Sequence, residues 1–211
     1  MLEILVTIIS AAFTLFVILD PLLSVSMFIN LTKDLKKADM IRQAFVATGV
    51  AGILMLFFLV FNNLLFDLLG IELASFKVAG GIILFILGLQ IVLGIDIGGS
   101  SAGHESLASP DRVGRKSMAG VIIGTPIMCG PGAITTVMIL GAQDGLLLTI
   151  FAVVLSLFCI WLILIFSTQI KRLLGETVLV ILSKIVGLLL TAISVHAIWT
   201  GILGLIALSV I

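Results

Sequence analysis

Six apolar stretches, at roughly 4–31, 44–66, 75–95, 117–140, 146–168 and 185–208, are each long enough to cross about 30 Å of hydrocarbon as a helix. Lipid offers no water to peptide groups, so a chain built this way can fold only as helices or as a closed barrel. Uninterrupted apolar runs of this length, without two-residue alternation, select the helix. The composition agrees: 61% of residues are hydrophobic and 10% charged, with a mean hydropathy of +1.41. The expectation is an all-α integral membrane protein with six transmembrane helices, not a soluble domain. The first stretch carries Glu3 where a signal peptide has basic residues, and it continues apolar beyond Asp20-Pro21. It reads as mature protein.

Two stretches are broken by proline. They read Leu19-Asp20-Pro21-Leu22 in the first and Gly130-Pro131-Gly132-Ala133 in the fourth. Non-helical backbone at membrane depth survives only against protein or a wet cavity. One such break in each half of a chain is the pattern of a secondary transporter whose substrate binds between discontinuous helices. Helices 1 and 4 are therefore expected to be interrupted.

Ten of the eleven Lys and Arg residues fall in alternate connections. Lys33, Lys36, Lys37 and Arg42 lie in the first, Arg112, Arg115 and Lys116 in the third, and Lys171, Arg172 and Lys184 in the fifth; Lys77 stands alone on the opposite side. Basic loops stay cytoplasmic, which places both termini outside and expects a multi-pass protein of the cell membrane.

Residues 77–95 align without gaps to residues 184–202, with six of 19 positions identical, including Lys77 and Lys184, Gly80 and Gly187, and Gly94 and Gly201. Leu68-Leu69-Gly70 matches Leu173-Leu174-Gly175, and Pro21 matches Pro131. Three helices per half is an odd number, so the halves, 1–95 and 117–211, form a 3+3 inverted repeat. Residues 96–116, which begin with a Gly/Ser-rich stretch, read as a cytoplasmic linker. Gly98 and Gly103 have phosphate-loop spacing, but His104-Glu105 stand where Lys-Ser/Thr is required, which removes an ATP-driven pump. Gly80, Gly81, Gly88 and Gly94, then Gly187, Ser194 and Gly201, are read as close-packing positions between helices.

At the second break, Pro131 opens a half-helix without losing a needed donor. The N–H groups of Gly132, Ala133, Ile134 and Thr135 then lie at its positive end and suit a carboxylate, with Gly130 and Thr136 beside them; a proline kink used only for packing is the alternative. At the first, Asp20 can cap the half-helix that starts at Pro21 by accepting from Leu23 or Ser24. It can also hold a substrate ammonium or exchange a proton. Cap and site are compatible readings. His196, in the middle of the last stretch, is either a proton-relay group or one end of an interhelical hydrogen bond. Asp20 and His196 are the proton-coupling candidates. Thr125-Pro126, Ser26 and Gln90 are read as locally satisfied polar residues. Cys129 and Cys159, inside spans, are read as packing residues. Lys77 and Lys184 are expected to snorkel from span starts. No metal cluster, cofactor motif, catalytic constellation or nucleic-acid patch is present in the sequence, so an enzyme is not expected.

Three segments carry a family resemblance: Leu19-Asp20-Pro21-Leu22 with Met27-Phe28, Phe76-Lys77-Val78-Ala79-Gly80-Gly81-Ile82, and Gly130-Pro131-Gly132-Ala133-Ile134-Thr135-Thr136. Together they resemble the MarC family, also called the small neutral amino acid transporter family. The chain departs from it at Leu23-Ser24, where many relatives carry Gly-Asn. The resemblance implies a six-helix carrier distantly related to LysE-type exporters and handling glycine or alanine. The functional expectation is a proton-coupled exporter of small neutral amino acids. Its zwitterionic substrate would touch Asp20, Pro21, Ser24, Gly130, Pro131, Gly132, Ala133, Thr135 and Thr136. A channel for small polar solutes and a non-transporting membrane scaffold are the competing readings. The bilayer and the substrate are the expected partners; nothing in the sequence specifies an oligomer.

Overall fold

The computed structural model describes residues 2–32, 35–94 and 128–209, and these are almost wholly helical. The expected linker at 96–116, the leading part of the fourth span and Thr125-Pro126 lie outside the described residues.

The first stretch forms α1 (Leu2–Ile18) and α2 (Pro21–Thr32), bent by 44° across Leu19-Asp20. The proline has no N–H to give to the preceding turn, so a new helix starts at it. Next comes α3 (Lys37–Val60), with Asp39 in its first turn, where a carboxylate complements the helix dipole. It stops at Phe61, earlier than the sequence suggested, and a separate short helix, α4 (Asn62–Leu69), follows. Gly70, at φ 61°, closes α4 in the left-handed conformation, and α5 (Leu73–Leu93) ends the same way at Gly94.

After the second break, α6 (Pro131–Asp144) and α7 (Leu146–Ile165) are joined by Gly145 alone. Finally α8 (Ser167–Ser209) is bent at Gly175. Gly145 (φ 88°, ψ 159°) and Gly175 (φ 74°, ψ 169°) both occupy backbone space that is essentially restricted to glycine. The expected fifth connection is thus helix on both sides of one glycine. Lys171 and Arg172 lie before that glycine, and Lys184 lies inside the helix that follows, not in a loop. That helix, Thr177–Ala207, has 31 residues and so is about 46 Å long, more than the hydrocarbon needs.

Among the described residues, Lys37–Val60, Leu73–Leu93, Leu146–Ile165 and Thr177–Ala207 are long and apolar enough to span, and the bent pair α1–α2 makes a fifth. The remaining expected span, 117–140, is described only from Met128 onward.

Packing is directed by small residues. The segments aligned in the sequence, on α5 and α8, lie against each other and run antiparallel. Built-in side chains at Gly81 and Gly88 would meet Ile198 and Thr191, while those at Gly187 and Gly201 would meet Ile91 and Val78. The seven-residue spacing of Gly187, Ser194 and Gly201 does place them on one face, turned to α5. Elsewhere α1 packs on α7, where the Ser156 hydroxyl donates to the Ala12 carbonyl at 2.8 Å. Leu157 of α7 fills the space over Gly52 of α3. One buried cluster runs from Leu15, Ile18 and Leu19 to Met128, Cys129 and Ala133. Large apolar side chains such as Phe13, Phe45, Ile53, Phe151 and Trp199 cover the outer faces, as a bilayer-facing surface requires.

The helix ends Phe61 and Phe166 have the same backbone geometry (φ −87°, ψ 8° and φ −90°, ψ 8°). Each precedes a buried polar residue, Asn62 and Ser167, and a glycine at positive φ follows, Gly70 and Gly175.

Candidate functional site

Asp20 is the only non-glycine residue at positive φ (40°) among the described residues, a conformation that Asp tolerates better than most side chains. It is buried, 4% exposed, in the break between α1 and α2. Its Oδ1 accepts from the Leu23 N–H at 3.1 Å, which is the capping role read from the sequence. Ser24 is held differently: its N–H donates to the Asp20 main-chain carbonyl at 3.0 Å, and its hydroxyl to the Leu19 carbonyl at 3.3 Å. The second carboxylate oxygen, Oδ2, is buried and has no hydrogen-bond partner among the described residues. A lone buried oxygen on an ionisable group is costly, and a proton, a water or a bound cation would relieve it.

At the other break, Cys129 is in a bend and Gly130 is extended (φ −73°, ψ 174°), so the helix starts anew at Pro131. The C-terminal side of the expected discontinuity is therefore present; what precedes Met128 lies outside the described residues. Ala133, Thr135 and Thr136 are buried in the first turns of α6, Gly130 is half-buried, and Pro131 is exposed. The Thr135 hydroxyl donates back to the Pro131 carbonyl at 2.8 Å. Pro21 is buried beside Asp20. Ile18 and Leu19 before the first break and Cys129 and Ala133 around the second belong to the same buried cluster.

Two site residues have surroundings that the sequence did not reveal. Gly132 turns its open side to α5, where a side chain would meet Leu84 Cδ2 at 2.5 Å and Leu87 Cδ1 at 3.5 Å. The nearest obstacle to a side chain there is the flexible end of Leu84. Thr135 sits directly over Gly80, which leaves no room there for a side chain. That contact joins the second and third of the motif segments, although they are far apart in sequence.

His196 is exposed on α8, whereas Asp20 is buried, and the His196 imidazole makes no hydrogen bond among the described residues. Sequence reasoning also passed over Asn62. Its side-chain amide donates to the Met138 carbonyl at 2.7 Å, tying the α3–α4 junction to α6, while its Oδ1 is buried without a partner. The signal was available: Asn62-Asn63 interrupts an otherwise apolar run. Cys129 and Cys159 are free thiols, buried and half-buried. No group of three or more His, Cys, Asp and Glu side chains that could hold a metal occurs among the described residues.

Comparison with known proteins covers nearly the whole chain. The model of the MarC family of integral membrane proteins matches residues 5–206. A UPF0056 membrane protein of Aquifex aeolicus is 33% identical over 202 residues, 94% of this chain and 93% of the relative. A UPF0056 membrane protein of Methanocaldococcus jannaschii is 32% identical over 197 residues, 90% and 93% of the two chains. UPF0056 membrane protein YhcE of Escherichia coli is 26% identical over 195 residues, 90% and 89%. No solved structure matches the chain. With its apolar helices, its proline-opened half-helices and a match that runs almost from end to end, this multi-pass membrane protein belongs to the MarC family.

Proposed function

We propose that this chain is a secondary transporter of small neutral amino acids, with a zwitterion held between the breaks of helices 1 and 4. The observation that carries the reading is Asp20 Oδ2, a buried carboxylate oxygen without a partner at a helix break. An ammonium group answers it, and a proton can replace the ammonium when the site is empty. The Ile134 N–H already donates to the Gly130 carbonyl at 3.1 Å, which leaves the N–H groups of Gly132 and Ala133 at the start of α6 to suit the carboxylate end. The shared buried cluster around the two breaks supports a single site, and the close glycine-lined packing of α5 on α6 suits a substrate with a short side chain.

The halves work as an inverted repeat that rocks about this site. Matching helix ends at Phe61 and Phe166, and the antiparallel contact of the aligned segments on α5 and α8, support that arrangement. Net export, coupling to protons and residence in the cell membrane with both termini outside are part of the same proposal.

The test is uptake and efflux of labelled glycine and alanine in proteoliposomes, with and without a pH gradient. Saturable counterflow that responds to the gradient is expected. Flux without counterflow would indicate a channel, and no flux of either amino acid would remove the transporter reading.

A further inference from the structure

We propose that the outer face of α8 around His196 is the seam of a two-fold homodimer. Intramembrane ionisable side chains almost always face protein or a wet cavity, because hydrocarbon gives them no partner. Among the described residues nothing covers His196 in this way. It lies midway along the apolar helix Thr177–Ala207, it is exposed, and its imidazole makes no hydrogen bond among the described residues. Its neighbours along the helix can face lipid at no cost; His196 cannot.

The chemistry of the group indicates what covers it. A neutral imidazole has one N–H donor and one ring-nitrogen acceptor. Two imidazoles beside a two-fold axis can therefore share one N–H···N bond, with the donor of one meeting the acceptor of the other. All copies insert with the same orientation, so the axis is normal to the membrane and the two α8 helices run parallel. Parallel pairs need apolar side chains at alternating spacings of three and four. Ile185, Leu189, Ala192, Trp199 and Leu203, with His196 itself, have that spacing and are all exposed. Ala192, one turn before His196, is small enough for the backbones to come close. Beside the seam, a shallow apolar groove of about 290 Å³ runs between Phe85 on α5 and Trp199 on α8, open to side chains of the second copy.

The full chain, with Cys129 and Cys159 replaced by alanine, is reconstituted in liposomes and given single cysteines. Oxidation is expected to link copies through Ala192→Cys and Trp199→Cys. Leu190→Cys and Ser194→Cys, which are buried against the rest of the chain, should stay unlinked. Single-molecule photobleaching at a range of protein-to-lipid ratios then measures the dimer. His196→Leu should weaken it about three- to fifteen-fold, the range for one hydrogen bond between helices in lipid. His196→Gln, which retains a donor and an acceptor, should dimerise as the wild type does. Single bleaching steps at every density would overturn the proposal and leave the face to lipid chains. So would cross-linking without helical periodicity, or a His196→Leu variant that dimerises as tightly as the wild type.

Discussion

The two carboxylate oxygens of Asp20 have different surroundings, and that difference separates its two roles. Oδ1 holds the Leu23 N–H, while Oδ2 has no partner. Asparagine keeps an oxygen for the cap and tolerates the positive φ of this position, but it removes the charge. Asp20→Asn is therefore expected to fold, as judged by circular dichroism, and to lose glycine and alanine binding. Loss of one partner of a buried charge pair costs about 2–5 kcal/mol, roughly 30- to several-thousand-fold in affinity. Wild-type affinity together with wild-type pH dependence in this variant would reduce Asp20 to a helix cap. The cap itself was legible, since an aspartate before a proline has few other local duties. The free oxygen was not, because it depends on how α1, α2 and their neighbours close around it. Gly132 shows the same dependence on packing. Its place after Pro131 suggested a substrate contact, and only the structure shows Leu84 beside it across the α5–α6 interface.

Helix pairs in lipid gain little from burying apolar surface, so close approach of backbones decides their stability. A side chain at Gly88 would lie 2.9 Å from the Gly187 carbonyl oxygen and 2.9 Å from the Thr191 nitrogen, both backbone atoms that cannot step aside. Gly49, in α3, has nothing within 4 Å. Gly88→Ala should therefore destabilise by about 1–3 kcal/mol, the usual penalty of overpacking. Gly49→Ala should be neutral or stabilising by about 1 kcal/mol, because it only improves helix propensity. Equilibrium unfolding in mixed micelles measures both, and equal effects would show that backbone approach does not govern the α5–α8 pair. A second contrast concerns connections. Gly145 has open space around it, so Gly145→Ala meets no neighbour and is opposed only by its backbone conformation. That strain costs about 1–3 kcal/mol and should appear as a lower unfolding midpoint. The packing face of α8 could be read from the seven-residue spacing of Gly187, Ser194 and Gly201. The separate helix α4 and the break inside Ser167–Ser209 could not, because hydropathy sees apolar length and is blind to a turn at Phe61 or a bend at Gly175.

Orientation belongs to the whole molecule, and it follows from charges that no single helix controls. The structure places Lys184 inside a helix and makes Lys171 and Arg172 helical. What matters for insertion is which end of a span the basic residues flank, not whether they are in a loop. Thr177–Ala207 is longer than the hydrocarbon is thick, which is compatible with Lys184 reaching an interface by snorkelling. The sequence itself puts ten of the eleven basic residues in alternate connections, with Lys77 the exception, and the orientation that this asymmetry predicts can be tested directly. In a background with Cys129 and Cys159 replaced by alanine, Leu2→Cys and Val210→Cys are expected to react with an impermeant maleimide added to intact cells. Ser101→Cys should react only after the cytoplasmic face is opened. The reverse pattern would invert the molecule and, with it, the direction in which the proposed site first meets its substrate. Reaction at Leu2→Cys and Val210→Cys from opposite sides would have a deeper consequence. It would require an odd number of spans, leave the two halves unrelated by an in-plane axis, and remove the architecture on which alternating access between the breaks depends.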